Sequence, residues 1–135
     1  MSEIINVSDA VNLAIHSLIE IAINQGRAVQ TNEIAEKFSV SEAHLSKVLQ
    51  RLRKAGYVEA ERGPKGGYRL LKDPAEIKLD DIFSVIDGPI QIPFCLFKRK
   101  SCERVNCKLA GKIRAFSNEI LDFLKSNTLA DIIAK

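Results

Sequence analysis

Apolar positions fall at helical spacing from the start of the chain. Residues 7–24 predict a first helix, with Val11, Ala14, Ile15, Leu18 and Ala22 along one stripe. Leu13, Ile19, Ile21 and Ile23 spread apolarity around most of the rod, the mark of a buried helix. Its polar exceptions, Asp9, Asn12 and His16, share one face, and Gln25-Gly26 ends it. Thr31 is the expected N-cap of a short second helix through Ile34, Ala35 and Lys37. After a turn at Phe38-Ser39-Val40, either Ser41 or a Ser39/Glu42 capping box starts a third helix. Leu45, Val48, Leu49 and Leu52 form its inward face, and Gly56 closes it as a left-handed cap.

The period then changes. Tyr57–Glu61 and Tyr68–Leu71 are strand candidates on either side of Arg62-Gly63-Pro64-Lys65-Gly66-Gly67, a glycine-rich hairpin tip. Asp73-Pro74-Ala75-Glu76 has the cap, proline and reaching glutamate that open a helix, marked by Leu79, Ile82, Phe83 and Ile86 and stopped at Gly88-Pro89. Residues 90–107 lack periodicity and hold all three cysteines. A long helix follows to about Ser126, in which Leu109, Ile113, Phe116, Ile120 and Phe123 alternate spacings of four and three. That is a heptad seam, short enough to fit a packed helix pair, and Thr128 can cap a last turn over Leu129–Ile133.

The predicted fold class is mainly α with a small β-hairpin wing: a winged helix-turn-helix over residues 1–72, then a cysteine-loop and dimerisation region over 73–135 that includes the long C-terminal helix. At 135 residues the chain is one domain, or one with an appendage. No apolar run approaches a membrane span and the start lacks the basic segment of a signal peptide, so the expected location is the cytoplasm, with no membrane partner. An odd cysteine count in a reducing compartment argues against a disulfide framework. The net charge of +3 matters only if the cations cluster.

They do cluster. On the outward side of the third helix, Ala43, Ser46, Lys47, Gln50, Arg51 and Lys54 fall at i, i+3, i+4, i+7, i+8 and i+11, with His44 beside them. The face is small and polar at its start and cationic toward its end. A recognition helix needs that gradient, because its first residues reach base edges while flanking cations hold phosphates. A solvated charged face is the commoner fate of such a stripe. The order of elements decides: short helix, turn, amphipathic helix and hairpin make a winged helix-turn-helix. Arg62 and Lys65 lie at a hairpin tip whose glycines permit close backbone approach to a minor groove. No Lys-Ser or Lys-Thr opens a helix after these glycines, as a phosphate-binding P-loop requires.

Residues 34–71, with Leu45-Ser46-Lys47-Val48-Leu49-Gln50-Arg51-Leu52-Arg53-Lys54-Ala55-Gly56-Tyr57-Val58 and Arg62-Gly63-Pro64-Lys65-Gly66-Gly67-Tyr68, resemble the Rrf2 family of bacterial transcription regulators. The resemblance continues through Asp80–Asp87, the cysteine trio and Thr128–Ile132. It implies a homodimer built on the long C-terminal helix, with two winged heads on a palindromic operator in double-stranded DNA. It places Ala43, His44, Ser46 and Lys47 at base-reading positions and makes Arg62 the wing arginine.

The cysteines read Cys95-x6-Cys102-x4-Cys107 within a basic stretch holding Lys98, Arg99, Lys100, Arg104 and Lys108. Inert core thiols fit such a loop poorly. Redox thiols activated by nearby cations fit it, and so does a soft metal centre. A structural zinc site lacks its fourth ligand and its C-x2-C pairs. The family resemblance favours an iron–sulfur cluster, [2Fe–2S] or [4Fe–4S], held by Cys95, Cys102 and Cys107. Some sensor members add a histidine three residues after the third cysteine, where this chain has Ala110. Others take an acidic ligand from the partner's first helix, at the position of Asn12 here, which leaves Asp9 or His16, one turn to either side, as candidate fourth ligands. Two rival classes remain. An enzyme would need a histidine near a nucleophile, and only His16 and His44 exist. A protein-interaction module would use the same basic surfaces without reading DNA.

Overall fold

The computed structural model describes residues 6–92 and 107–134. Helix α1, Asp9–Ile23, is capped by Ser8, whose hydroxyl accepts from the Val11 amide at 3.1 Å. Its apolar stripe is the spine of the core: Val11, Ala14, Leu18 and Ile21 are buried, while Asp9, Asn12 and His16 face solvent. The predicted all-round burial does not hold, since Ile23 is exposed on the far side.

Helices α2, Thr31–Phe38, and α3, Glu42–Lys54, form the helix-turn-helix. Thr31 is the first residue of α2 and not its cap; the cap position belongs to Gln30, whose side chain makes no capping bond. Ser39 adopts a left-handed conformation with φ 54°, so it ends α2, and Ser41 alone caps α3 through the His44 amide. The alternative Ser39/Glu42 box does not form. Leu45, Val48, Leu49 and Leu52 are buried as their spacing requires, and Gly56 takes the left-handed conformation with φ 84°.

Strands β1, Val58–Glu61, and β2, Gly67–Leu70, pair antiparallel from Val58 opposite Leu70 to Glu61 opposite Gly67. Periodicity gave no sign of a third partner. Val29, between α1 and α2, exchanges both backbone hydrogen bonds with Tyr68, at 2.9 and 2.8 Å. The wing is thereby joined to the entrance of the helix-turn-helix.

The single helix expected from Asp73 onward is broken in two. Asp73 caps a 3-10 turn, Pro74–Glu76, and helix α4, Leu79–Asp87, starts separately. The cause is a competing partner. Ile77 is buried and extended, its carbonyl accepts from the Leu129 amide at 2.8 Å, and the Leu79 amide donates to Asn127 at 3.1 Å. Helix α5, Lys108–Ser126, precedes that contact, and helix α6, Leu129–Ile133, follows it behind a Thr128/Asp131 capping box. One apolar cluster includes α1, α2, α3, β1, α4 and Leu129. Helix α5 contributes no buried residue to it and lies against α4.

Glycine is required at 67. Its φ is 151°, and a Cβ there would collide with the Val29 carbonyl. Gly67→Ala should lower stability by about 1–3 kcal/mol through backbone strain. Gly26→Ala, at a position with open space and no positive φ, should be neutral or slightly stabilising. Thermal unfolding of both variants checks the contrast; equal midpoints would contradict it.

Candidate nucleic-acid interface

The inward leucines of α3 fix which side of that helix meets solvent. Ala43, His44, Lys47, Gln50, Arg51 and Lys54 are exposed on the other side, and Ser46 is half-buried. Charge follows the helix axis: Glu42 lies in the first turn, and Arg51, Arg53 and Lys54 in the last, matching the helix dipole. Arg53 is a cation that the outward-face spacing did not single out, and it too is exposed.

The cations of this surface differ in their partners. Arg27 pairs with Glu33 at 2.9 Å, Lys37 with Glu20 at 2.6 Å, and Arg69 with Glu61. The hydrogen bond from Arg27 holds the Glu33 carboxyl below its ordinary range. Among the described residues, Lys47, Lys54, Arg62 and Lys65 have no acidic partner. Arg51 stands apart: its Nη1 donates to the Ile86 carbonyl at 2.9 Å, in the last turn of α4. At least one of its donors thus joins α3 to α4, a role its place on the outward stripe did not signal.

At the wing tip, the Gly66 amide donates to Gly63 at 2.9 Å, closing the turn that presents Arg62 and Lys65 to solvent. The Gln30 amide Nε2 donates to the Pro64 carbonyl at 2.9 Å. Sequence reasoning missed Gln30, because nothing local marks a contact across 34 positions.

Cys95 and Cys102 lie outside the described residues. Cys107 occupies the N-cap position of the 19-residue α5, half-buried, where a helix N-terminus favours negative charge. Among the described residues no three His, Cys, Asp or Glu side chains gather as a metal site. His16 Nδ1 lies 2.7 Å from the Asn12 carbonyl, which can only accept. That bond puts the ring proton on Nδ1 when His16 is neutral and leaves Nε2 with its lone pair, as in histidines that bind metals. The ring also packs edge-on against Phe38, with centroids 5.4 Å apart. Asp9 is exposed on α1 about two turns before His16. On α5, Leu109, Phe116 and Phe123 are 57%, 46% and 57% exposed, and Ile113 and Ile120 are half-buried. No helix among the described residues is long and apolar enough to cross a membrane.

Residues 7–135 match the family model of the Rrf2 iron-dependent transcriptional regulators. The HTH-type transcriptional regulator IscR of Vibrio campbellii is 30% identical over 121 residues, covering 89% of this chain and 72% of its own. Among solved structures, CymR, the global cysteine regulator of B. subtilis, is similar with a TM-score of 0.74 and 27% identity over 96% of this chain and 97% of that one. The IscR of T. potens is similar with a TM-score of 0.71 and 30% identity, covering 96% and 86%. These relatives are transcriptional regulators and not enzymes, and their winged-helix fold is the one built here from α2, α3 and the β1–β2 hairpin. The chain belongs to the Rrf2 family of DNA-binding transcriptional regulators.

Proposed function

We propose that this protein is a homodimer that reads a palindromic operator, with residues 1–72 contacting DNA and residues 73–135 sensing a signal and joining the subunits. The observation that carries the reading is a group of exposed cations on one helix and one hairpin tip, Lys47, Arg53, Lys54, Arg62 and Lys65, that have no acidic partner among the described residues. Phosphate neutralisation is the electrostatic source of DNA affinity, and cations not already engaged supply it at least cost. Ala43, His44, Ser46 and Lys47 reach base edges from the first turns of α3. Gln50 and Lys54, with the remaining donors of Arg51, hold phosphates along it.

The seam of Leu109, Ile113, Phe116, Ile120 and Phe123 supports the dimer. It is a row of large apolar side chains on a helix with no buried residue in the single chain. A second copy of the same helix would cover it.

Cys95, Cys102 and Cys107 hold an iron–sulfur cluster, with Asp9 or His16 of the partner's α1 as candidate fourth ligand. The thiolate set, the surrounding cations and a family defined by iron dependence support this. When bound, the cluster supplies an iron centre sensitive to oxygen, nitric oxide or iron supply. The chain enters the cysteine segment from α4, which Arg51 ties to α3, and leaves it at Cys107 into the seam helix. Both ends of that segment are thus joined to elements that set the two reading heads. A second reading uses the cysteines as redox thiols without a cluster. The place of Cys107 at a helix N-terminus, where a thiolate is favoured, gives it specific support.

Four outcomes follow. On a duplex selected by the wild-type protein from a randomised pool, Lys47→Ala should shift the preferred sequence at a cost of about 1–3 kcal/mol. Arg62→Ala should weaken binding; wild-type titrations at fixed salt for both would overturn the assignment. Phe116→Ala should lower dimer affinity by about 3–5 kcal/mol while leaving the protomer folded, since its ring is exposed in the single chain. Sedimentation over a concentration series reads this, and a wild-type monomer that binds the duplex fully would contradict it. Anaerobic reconstitution should give visible absorption, iron and acid-labile sulfide in the wild type and none in Cys102→Ala. Iron-free wild type whose DNA binding changes on thiol oxidation would favour the second reading.

A further inference from the structure

Gln30 gives up one interaction for another. It occupies the cap position of α2, where a short polar side chain usually accepts a bond from the first turn, and its side chain makes no such bond. It instead crosses to the wing tip, where its amide donates to the Pro64 carbonyl at 2.9 Å. That carbonyl belongs to the central peptide of the Gly63–Gly66 turn, which the Gly66-to-Gly63 hydrogen bond closes. A flip of this peptide interconverts the two commonest turn types. Lys65 does not have positive φ, so the turn is in the first of those states, and the Gln30 bond engages its carbonyl there. The next residue inward, Val29, pairs with Tyr68 in the tip-side half of β2. The tip-side half of β2 and the tip itself are therefore both anchored to the segment that opens the helix-turn-helix. Among the described residues, the side-chain hydrogen bond that holds the tip is that of Gln30.

We propose that Gln30 is the positioning residue of the wing, holding Arg62 and Lys65 at a set height and orientation relative to α3 so that recognition helix and wing engage one DNA face together. The proposal rests on the DNA-binding reading above. Gln30 itself need not touch DNA, and its contribution passes through the two wing cations.

The test is a double-mutant cycle. Wild type, Gln30→Leu, the wing-cation variant Arg62→Ala/Lys65→Ala, and the triple variant are titrated at fixed salt. The probes are two duplexes sharing the core selected from a randomised pool, one with A·T flanks and one with G·C flanks. A narrow A·T minor groove attracts inserted cations, so the wild type should prefer the A·T flanks. Gln30→Leu should weaken binding to the A·T duplex about three- to tenfold, the range expected for one lost hydrogen bond. It should also reduce the flank preference and add nothing on the wing-cation background. Gln30→Ala replaces it if leucine lowers the unfolding midpoint. A Gln30 effect that persists in full without the wing cations overturns the proposal, as does a variant with wild-type affinity and preference. A wild type without flank preference, or a wing-cation variant that binds like wild type, removes the wing reading and this proposal with it.

Discussion

The reading surface depends on a close backbone approach. The Val29 carbonyl lies where a side chain on residue 67 would stand, and the two backbones are locked by the paired bonds between Val29 and Tyr68. A two-stranded hairpin is marginally stable by itself in water. Here it gains an adjoining bridge to the segment between α1 and α2, and Val58 packs in the core beside α3. The strands of the wing are thus held against the helix-turn-helix by backbone bonds and glycine stereochemistry, with the Gln30 side chain added at the tip. Gly67 is where sequence, local conformation and function meet in one residue.

The C-terminal half follows a different logic. Leu129 is buried in the main cluster, and the Ile77–Leu129 and Leu79–Asn127 backbone bonds tie the end of α5 to the start of α4. Helix α5 is therefore held at its C-terminal end while its apolar seam stays open. A helix 19 residues long with three large side chains about half exposed has more apolar surface than the other described residues cover. The proposed second copy supplies the missing burial. The same arrangement places Cys107 at the opposite end of the helix from the anchor.

Much of this was legible in the residues. Leu45, Val48, Leu49 and Leu52 gave the inward face of α3, Gly56 its end, and the glycine-rich tip the hairpin, because each signal is local and carries its own period or dihedral requirement. What failed to show was non-local. The helix expected from Asp73 broke because Ile77 and Leu79 found backbone partners some fifty positions away, at Leu129 and Asn127. The caps went astray for a related reason: Thr31 had the right side chain, but the Val29 pairing fixed the chain one residue earlier, leaving Gln30 at the boundary. The spacing of Arg51 gives its face but not its bond to the Ile86 carbonyl, which depends on how α3 and α4 cross. Spacing identifies a face; it does not say which donors on that face are already taken.

In the proposed dimer, two such heads joined through α5 read DNA as a symmetric pair. Hydroxyl-radical footprinting on the selected duplex tests it most directly. Two equivalent protected regions related by a two-fold axis are expected, their centres separated by about one helical turn of DNA or a multiple of it. Each should combine major-groove contact with a flanking minor-groove protection from the wing. One unsymmetrical footprint, or protection without any minor-groove component, would contradict it.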